Sequence, residues 1–118
     1  MKELKRLLRA TGYSLQGIKY LWTREKNFRL LLGATVLVSV MGYILPSISQ
    51  QEMALLLLAM ALVTVAETLN TAIEKTLDYA STENYHPLIK VAKDVASAAV
   101  FIAILFGLAI LCLSLITP

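Results

Sequence analysis

Four polar side chains lie along one face of a long apolar segment. Asn70, Glu74 and Asp78 follow Glu67 at offsets of three, seven and eleven residues in the stretch VAETLNTAIEKTLDYA. At about 100° per residue, these positions share a narrow arc of a helix. Carboxylate and amide oxygens can hold a divalent cation, and a carboxylate can accept a proton. This acidic stripe (Glu67, Asn70, Glu74 and Asp78) is therefore the first candidate for chemistry.

The composition around the stripe indicates a membrane protein. Hydrophobic residues make up 58% of the 118 residues and charged residues 16%, which favours lipid as the solvent. The uncharged interval between Glu52 and Glu67 is too short for a span of about 20 residues unless its helix continues through the stripe. We predict an all-α membrane protein with a single membrane domain, 1–118. Its elements are an N-terminal amphipathic surface helix within 1–28 and transmembrane helices at 30–49, 52–77 and 94–116.

The distribution of positive charge predicts the orientation of these helices. Residues 1–29 carry eight Lys or Arg against two Glu, and the segment 46–52 has no Lys or Arg. The positive-inside rule then places the N-terminus and the 78–92 loop in the cytoplasm, with the 46–52 turn and the C-terminus outside. We expect a multi-pass inner-membrane protein.

Two other chemistries are excluded by their residue patterns. Cys112 is the single cysteine, so there is no disulfide framework and no His/Cys cluster with zinc spacing. The string GYSLQGIK nearly matches a phosphate-binding loop, but Lys19 comes one residue late and no strand precedes it. Gly12 and Gly17 still permit the close approach of a phosphate chain, although helix packing explains them equally well.

Three explanations account for a glutamate at position 67 of a spanning helix. Helix 52–77 is longer than a hydrocarbon core of about 30 Å, which places Glu67 just inside the cytoplasmic edge. A carboxylate in lipid costs about 2.5–3.5 kcal/mol, so it should face protein or water. Hydrogen bonds between helices that only support assembly, at about 0.6 kcal/mol each, are one explanation. A small proton- or cation-coupled transporter is a second.

Phosphoryl transfer is the third explanation, and it accounts for more residues. Lys93 and Asp94 stand at the start of the third span, and Glu25 stands near the start of the first. The N-terminal helix adds a layer of cations. Carboxylates for Mg²⁺ and cations for phosphates are what phosphoryl transfer requires. A carboxylate deeper than the metal suits a lipid alcohol that meets a water-soluble nucleotide.

The stretch AETLNTAIEKTLD followed by HPLIKVAKDVASAAV resembles the signature region of the prokaryotic diacylglycerol kinase family. These are small integral-membrane lipid kinases that include the undecaprenol kinases. The resemblance continues upstream through RATGYSLQGIKYLWTREKNFR and so covers most of the chain. It implies a homotrimer that uses ATP and Mg²⁺ to phosphorylate a membrane-lipid hydroxyl, with no nucleic-acid partner. Because a polar stripe cannot be exposed to lipid, we also expect neighbouring subunits to cover it and to share active sites.

The same resemblance implies roles for individual residues. Glu67 matches the general base, with Asn70 beside it, and Glu25 and Glu74 match metal-binding glutamates. For Asp78 we favour a structural role. The expected nucleotide-binding residues are Lys93 on the phosphates, Asp94, Arg6, Tyr13, Gly17 and His86, and the expected lipid-binding residues are Glu67, Ser14 and Ser97. A helix cap or a solvated side chain is the alternative for His86.

The lipid acceptor is the least determined feature. NTAIE and HPLIKVAKD look closer to the undecaprenol kinase branch, whereas GYSLQG and SAAV fit both branches. We therefore predict undecaprenol as the slightly favoured acceptor. Diacylglycerol, which would give phosphatidic acid, is the alternative.

Overall fold

The computed structural model describes the backbone of residues 1–116 and the side chains of all of these except residue 115. Four helices follow one another: α1 (Lys2–Arg24), α2 (Lys26–Ile44), α3 (Gln50–Ser81) and α4 (Pro87–Ile116). Helices α2, α3 and α4 are long and apolar enough to cross a membrane. The predicted class, an all-α membrane protein with three spanning helices, is confirmed. The prediction that the C-terminus lies outside the cell concerns residues 117–118, which are outside the described residues.

Local chemistry explains where the helices begin and end. α1 and α2 are separated by Glu25 alone, whose backbone is extended at φ −115° and ψ 107°. α2 ends at Ile44, before the limit of 49 that we predicted for the first span, because Pro46 disfavours helical backbone at Leu45. α3 begins after Ser49, whose hydroxyl oxygen accepts a hydrogen bond from the Glu52 N–H at 3.1 Å. This is the usual way to cap an N-terminus.

Helix α3 is the central element of the fold. It packs most extensively against α4 and also packs against α2, whereas α1 packs against α2. Small residues allow α3 and α4 to approach closely: a Cβ added at Gly107 would lie 3.8 Å from the Ala59 Cβ. Because α2 and α4 both pack on α3 and make few contacts with each other, a groove runs along α3 between them.

The surface of the single chain is strongly apolar. Among the described residues, the buried hydrophobic ones are Leu21, Phe28, Ala59 and Ala96, while large apolar side chains are exposed along every helix. Lipid or neighbouring subunits would have to cover so much apolar surface. This pattern agrees with the membrane-spanning character of α2, α3 and α4.

Candidate active site

The acidic stripe opens into a cleft with a volume of about 410 Å³. The C-terminal half of α3 forms one wall, the α1–α2 bend forms a second wall, and α4 forms the third. Three of the predicted acidic residues meet there. The lining residues are Glu25, Asn27, Glu67, Asn70, Thr71, Glu74, Ser97, Val100, Phe101 and Ile104. The structure therefore brings the expected base, the expected metal ligands and one expected lipid contact to the same place.

Glu67 is linked to helix α2 by a hydrogen bond. The Asn27 side-chain amide donates to Glu67 Oε1 at 3.4 Å, between positions 40 residues apart in the sequence. Glu67 is half-buried, so its carboxylate faces the cleft and the protein. This placement satisfies the requirement that a carboxylate at this depth should not face lipid.

Asn70 is a buried polar residue that contacts one of the cleft carboxylates. It is 8% exposed, and its side-chain amide donates to Glu74 Oε1 at 3.3 Å. Its carbonyl oxygen Oδ1 is buried and has no hydrogen-bond partner among the described residues. Because a buried polar atom normally finds a partner, this free acceptor is a candidate ligand-binding atom.

Glu25 reaches the cleft because of the bend between α1 and α2. Its carboxylate lies 3.6 Å from the ammonium group of Lys75, on the residue directly after Glu74. The Glu25 side chain is mostly buried, and the Lys75 side chain is more than half exposed. The pair joins the bend to α3 and supplies a cation next to the expected metal ligands.

The donor set fits a magnesium ion that arrives with phosphates. Glu25 and Glu74 offer carboxylate oxygens, and Asn70 offers an unpaired amide oxygen, which are the hard ligands that Mg²⁺ prefers. Within residues 1–116, no three His, Cys, Asp or Glu side chains converge closely enough to hold a metal by themselves. Mg²⁺ usually binds through one or two carboxylates and completes its shell with water and phosphate oxygens.

Lys93 and Asp94 lie outside the cleft lining and are held in separate ion pairs. The Lys93 ammonium contacts the Asp78 carboxylate, joining α4 to α3, and Lys90 contacts Asp94 at 2.7 Å. The first pair agrees with the structural role favoured for Asp78. Both pairs are exposed to solvent, which weakens them, so phosphates could replace either partner at low cost.

The expected site residues of α1 and the 82–86 loop do not reach the cleft of their own chain. Arg6 pairs with Glu3 at 2.6 Å, and Tyr13 is 70% exposed. The Ser14 hydroxyl donates to the Ala10 carbonyl, and Gly17 faces open space. In the loop, His86 Nδ1 accepts a hydrogen bond from the Leu88 N–H at 3.1 Å. His86 therefore caps α4, the alternative that the sequence left open.

Three residues near the carboxylates were missed by the sequence reasoning. Asn27 and Thr71 line the cleft, and Lys75 pairs with Glu25. Asn27 could have been predicted as a site residue, because it is a polar residue two positions after Glu25 at the start of an apolar span. Thr71 and Lys75 flank the acidic stripe, but nothing in their spacing predicts which neighbour they contact.

An apolar cavity continues from the cleft along the groove between α2 and α4. Its volume is about 260 Å³, and Ile104 lines both it and the acidic cleft. The other lining residues are Val38, Leu56, Ala59, Met60, Val63, Gly107, Leu108 and Leu111. Polar chemistry and a hydrocarbon-compatible surface are thus adjacent in one chain.

These features define an integral-membrane protein whose acidic cleft adjoins an apolar groove. Its sequence matches the family described as prokaryotic diacylglycerol kinase over residues 12–115. The chain belongs to this family, and it is a lipid kinase, as the resemblance of its signature region predicted.

Several relatives support the assignment over most of their length. A diacylglycerol kinase of Pseudomonas aeruginosa is 44% identical over 101 residues, which cover 86% of this chain and 80% of that protein. One from Helicobacter pylori strain 26695 is 40% identical over 105 residues, covering 89% and 80%. One from Escherichia coli K12 is 37% identical over 110 residues, covering 93% and 88%.

Proposed function

We propose that this lipid kinase transfers the γ-phosphate of MgATP to the hydroxyl of diacylglycerol, giving phosphatidic acid. The observation that carries the proposal is the meeting of Glu25, Glu67 and Glu74 in one cleft that continues into an apolar groove. The names of the relatives favour diacylglycerol as the acceptor. Undecaprenol, which the sequence slightly favoured, is the second candidate because of the NTAIE and HPLIKVAKD stretches.

The residues of the cleft have complementary roles in this reaction. Glu67 accepts the proton of the lipid hydroxyl, and Asn70 orients Glu74 through its amide. Glu74 and Glu25 would hold Mg²⁺, which would neutralise charge on the phosphates. The Lys93 ammonium leaves Asp78 and binds the nucleotide phosphates instead, with Asp94 beside it. Ser97 faces the lipid within the cleft.

The transfer needs no covalent intermediate on the enzyme. The lipid oxygen forms a bond to the γ-phosphorus as the bond from that phosphorus to the β,γ-bridging oxygen breaks. ADP leaves with the bridging oxygen, and the hydroxyl proton passes to Glu67. Positioning and electrostatic stabilisation then supply most of the rate enhancement.

We also propose that the enzyme acts as a homotrimer with shared active sites in the bacterial inner membrane, with its N-terminus in the cytoplasm. A polar cleft open to lipid is untenable in an isolated chain, so neighbouring subunits must cover it. The expected nucleotide ligands Arg6, Tyr13 and Gly17 lie away from the cleft of their own chain, which supports a contribution from an adjacent subunit. The basic helix α1 would lie on the cytoplasmic membrane surface.

The proposed reaction is tested by phosphate transfer from γ-labelled ATP to diacylglycerol and undecaprenol, side by side in mixed micelles. We expect labelled phosphatidic acid, with the label lost in Glu67→Gln and Glu74→Gln. Preferential labelling of undecaprenol would overturn the proposed acceptor. Label in neither lipid, from a well-folded oligomer with Mg²⁺, would overturn both acceptors.

Shared active sites are tested by mixing two inactive variants, Glu74→Gln and Lys93→Met, before reconstitution. If a cleft uses these residues from different subunits, mixed oligomers contain some intact sites and regain activity. Activity no higher than that of either variant alone would contradict sharing between these two positions.

A further inference from the structure

Asn27 is the one residue of α2 that lines the acidic cleft, and its side chain bonds to the proposed base. It lies in the first turn of α2, two residues after the bend at Glu25, and donates to Glu67 Oε1 at 3.4 Å. We propose that Asn27 is a positioning residue that holds the Glu67 carboxylate toward the lipid hydroxyl. This inference rests on the proposed function, in which Glu67 accepts the proton.

The chemistry of an amide suits this task. A glutamate side chain has several rotatable bonds, so a base on a half-open cleft needs a partner to fix its direction. The bond to Oε1 leaves Oε2 available for a hydroxyl. A lysine at this place would neutralise the carboxylate, whereas the neutral amide orients it and leaves its charge intact.

The position of Asn27 argues against a role in packing alone. Its side chain is exposed, while the neighbouring Phe28 is buried and supplies apolar contact at this end of α2. Within its own chain, the loss of this side chain leaves no cavity, and a residue that only filled space against a neighbouring subunit would be replaceable by leucine. A residue that acts through its N–H donors would not be.

The first test is steady-state kinetics on Asn27→Leu, Asn27→Asp and Asn27→Gln. Leucine and aspartate keep the branching of asparagine but lack the amide donor, and aspartate also adds a negative charge beside Glu67. Glutamine keeps the donor on a longer side chain. We expect kcat for lipid phosphorylation to fall about 10- to 100-fold in the first two, with KM for ATP nearly unchanged and glutamine retaining more activity. Asn84→Ala, at an exposed position of the loop before α4, is the control. A leucine variant within twofold of the unchanged enzyme would overturn the inference.

A second test does not depend on activity. The chain has three asparagines, at 27, 70 and 84, so asparagine-selective ¹⁵N labelling gives three pairs of side-chain amide signals. A hydrogen bond to a carboxylate is stronger than one to a neutral amide. In Glu67→Gln we therefore expect the Asn27 pair to shift while the Asn84 pair stays in place. An unmoved Asn27 pair would show that the contact does not exist in the membrane.

The activities of two variants distinguish an error in the role of Glu67 from an error in the role of Asn27. If Glu67→Gln keeps full activity, the role of Glu67 as the base is wrong. If Glu67→Gln is inactive but Asn27→Leu is fully active, the base assignment stands and the positioning role of Asn27 is wrong.

Discussion

Replacing Asn70 with leucine should lower the activity of this kinase without a comparable loss of its stability. In the structure the Asn70 amide donates to Glu74, while its buried carbonyl oxygen has no partner among the described residues. Leucine has the same number and branching of side-chain heavy atoms and removes both polar atoms. The variant thus loses one hydrogen bond and at the same time relieves one unsatisfied acceptor.

The magnitudes decide the sign of the stability change. A buried acceptor without a partner costs about 1–3 kcal/mol, and a hydrogen bond contributes about 0.5–1.5 kcal/mol to folding. Their difference predicts a change in the free energy of unfolding between about 0.5 kcal/mol lower and about 2.5 kcal/mol higher. Activity should fall about 10- to 100-fold, because Glu74 loses the amide that orients it and the cleft loses an oxygen ligand.

The assay combines unfolding in detergent mixtures with phosphate transfer to lipid. Thr64→Val on the same helix is the control: it removes the 2.8 Å bond to the Met60 carbonyl, and Thr64 does not line the cleft, so activity should persist. A fall of more than about 1 kcal/mol in the unfolding free energy of Asn70→Leu would refute the reasoning. It would mean that the carbonyl oxygen has a stabilising partner in the assembled enzyme.

Three further predictions follow from the same structure. Glu67→Gln should slow phosphate transfer about 10²- to 10⁴-fold, because a general base is lost, while binding of a fluorescent ATP analogue stays unchanged. Weaker nucleotide binding would contradict the role of Glu67 as the base. Glu74→Gln and Glu25→Gln should raise the Mg²⁺ concentration for half-maximal activity about tenfold or more, and an unchanged Mg²⁺ titration would remove them as metal ligands. A Cβ at Gly42 would meet the flexible end of Met53. Gly42→Ala should therefore leave the free energy of unfolding in detergent nearly unchanged, whereas Gly42→Val should lower it by about 1–3 kcal/mol. Equal stability of both variants would show a looser α2–α3 contact.

The sequence was sufficient for the spans and for the face of α3 that carries the chemistry. Helical periodicity is a local property, so Glu67, Asn70 and Glu74 could be placed on one face without any knowledge of their neighbours. Uncharged intervals predicted the spanning helices. The end of α2 was less accurate, because Pro46 stops the helix inside an uncharged interval that hydropathy alone does not divide.

Only the tertiary structure determined which side chains meet. The extended backbone at Glu25 turns the chain so that Glu25 and Asn27 reach α3, and the small residues Ala59 and Gly107 set the approach of α4. Such contacts depend on the rotation and spacing of all the helices together, whereas a sequence pattern specifies each helix separately. For this reason the acidic stripe could be predicted from the sequence, but the hydrogen bond from Asn27 and the unpaired oxygen of Asn70 could not.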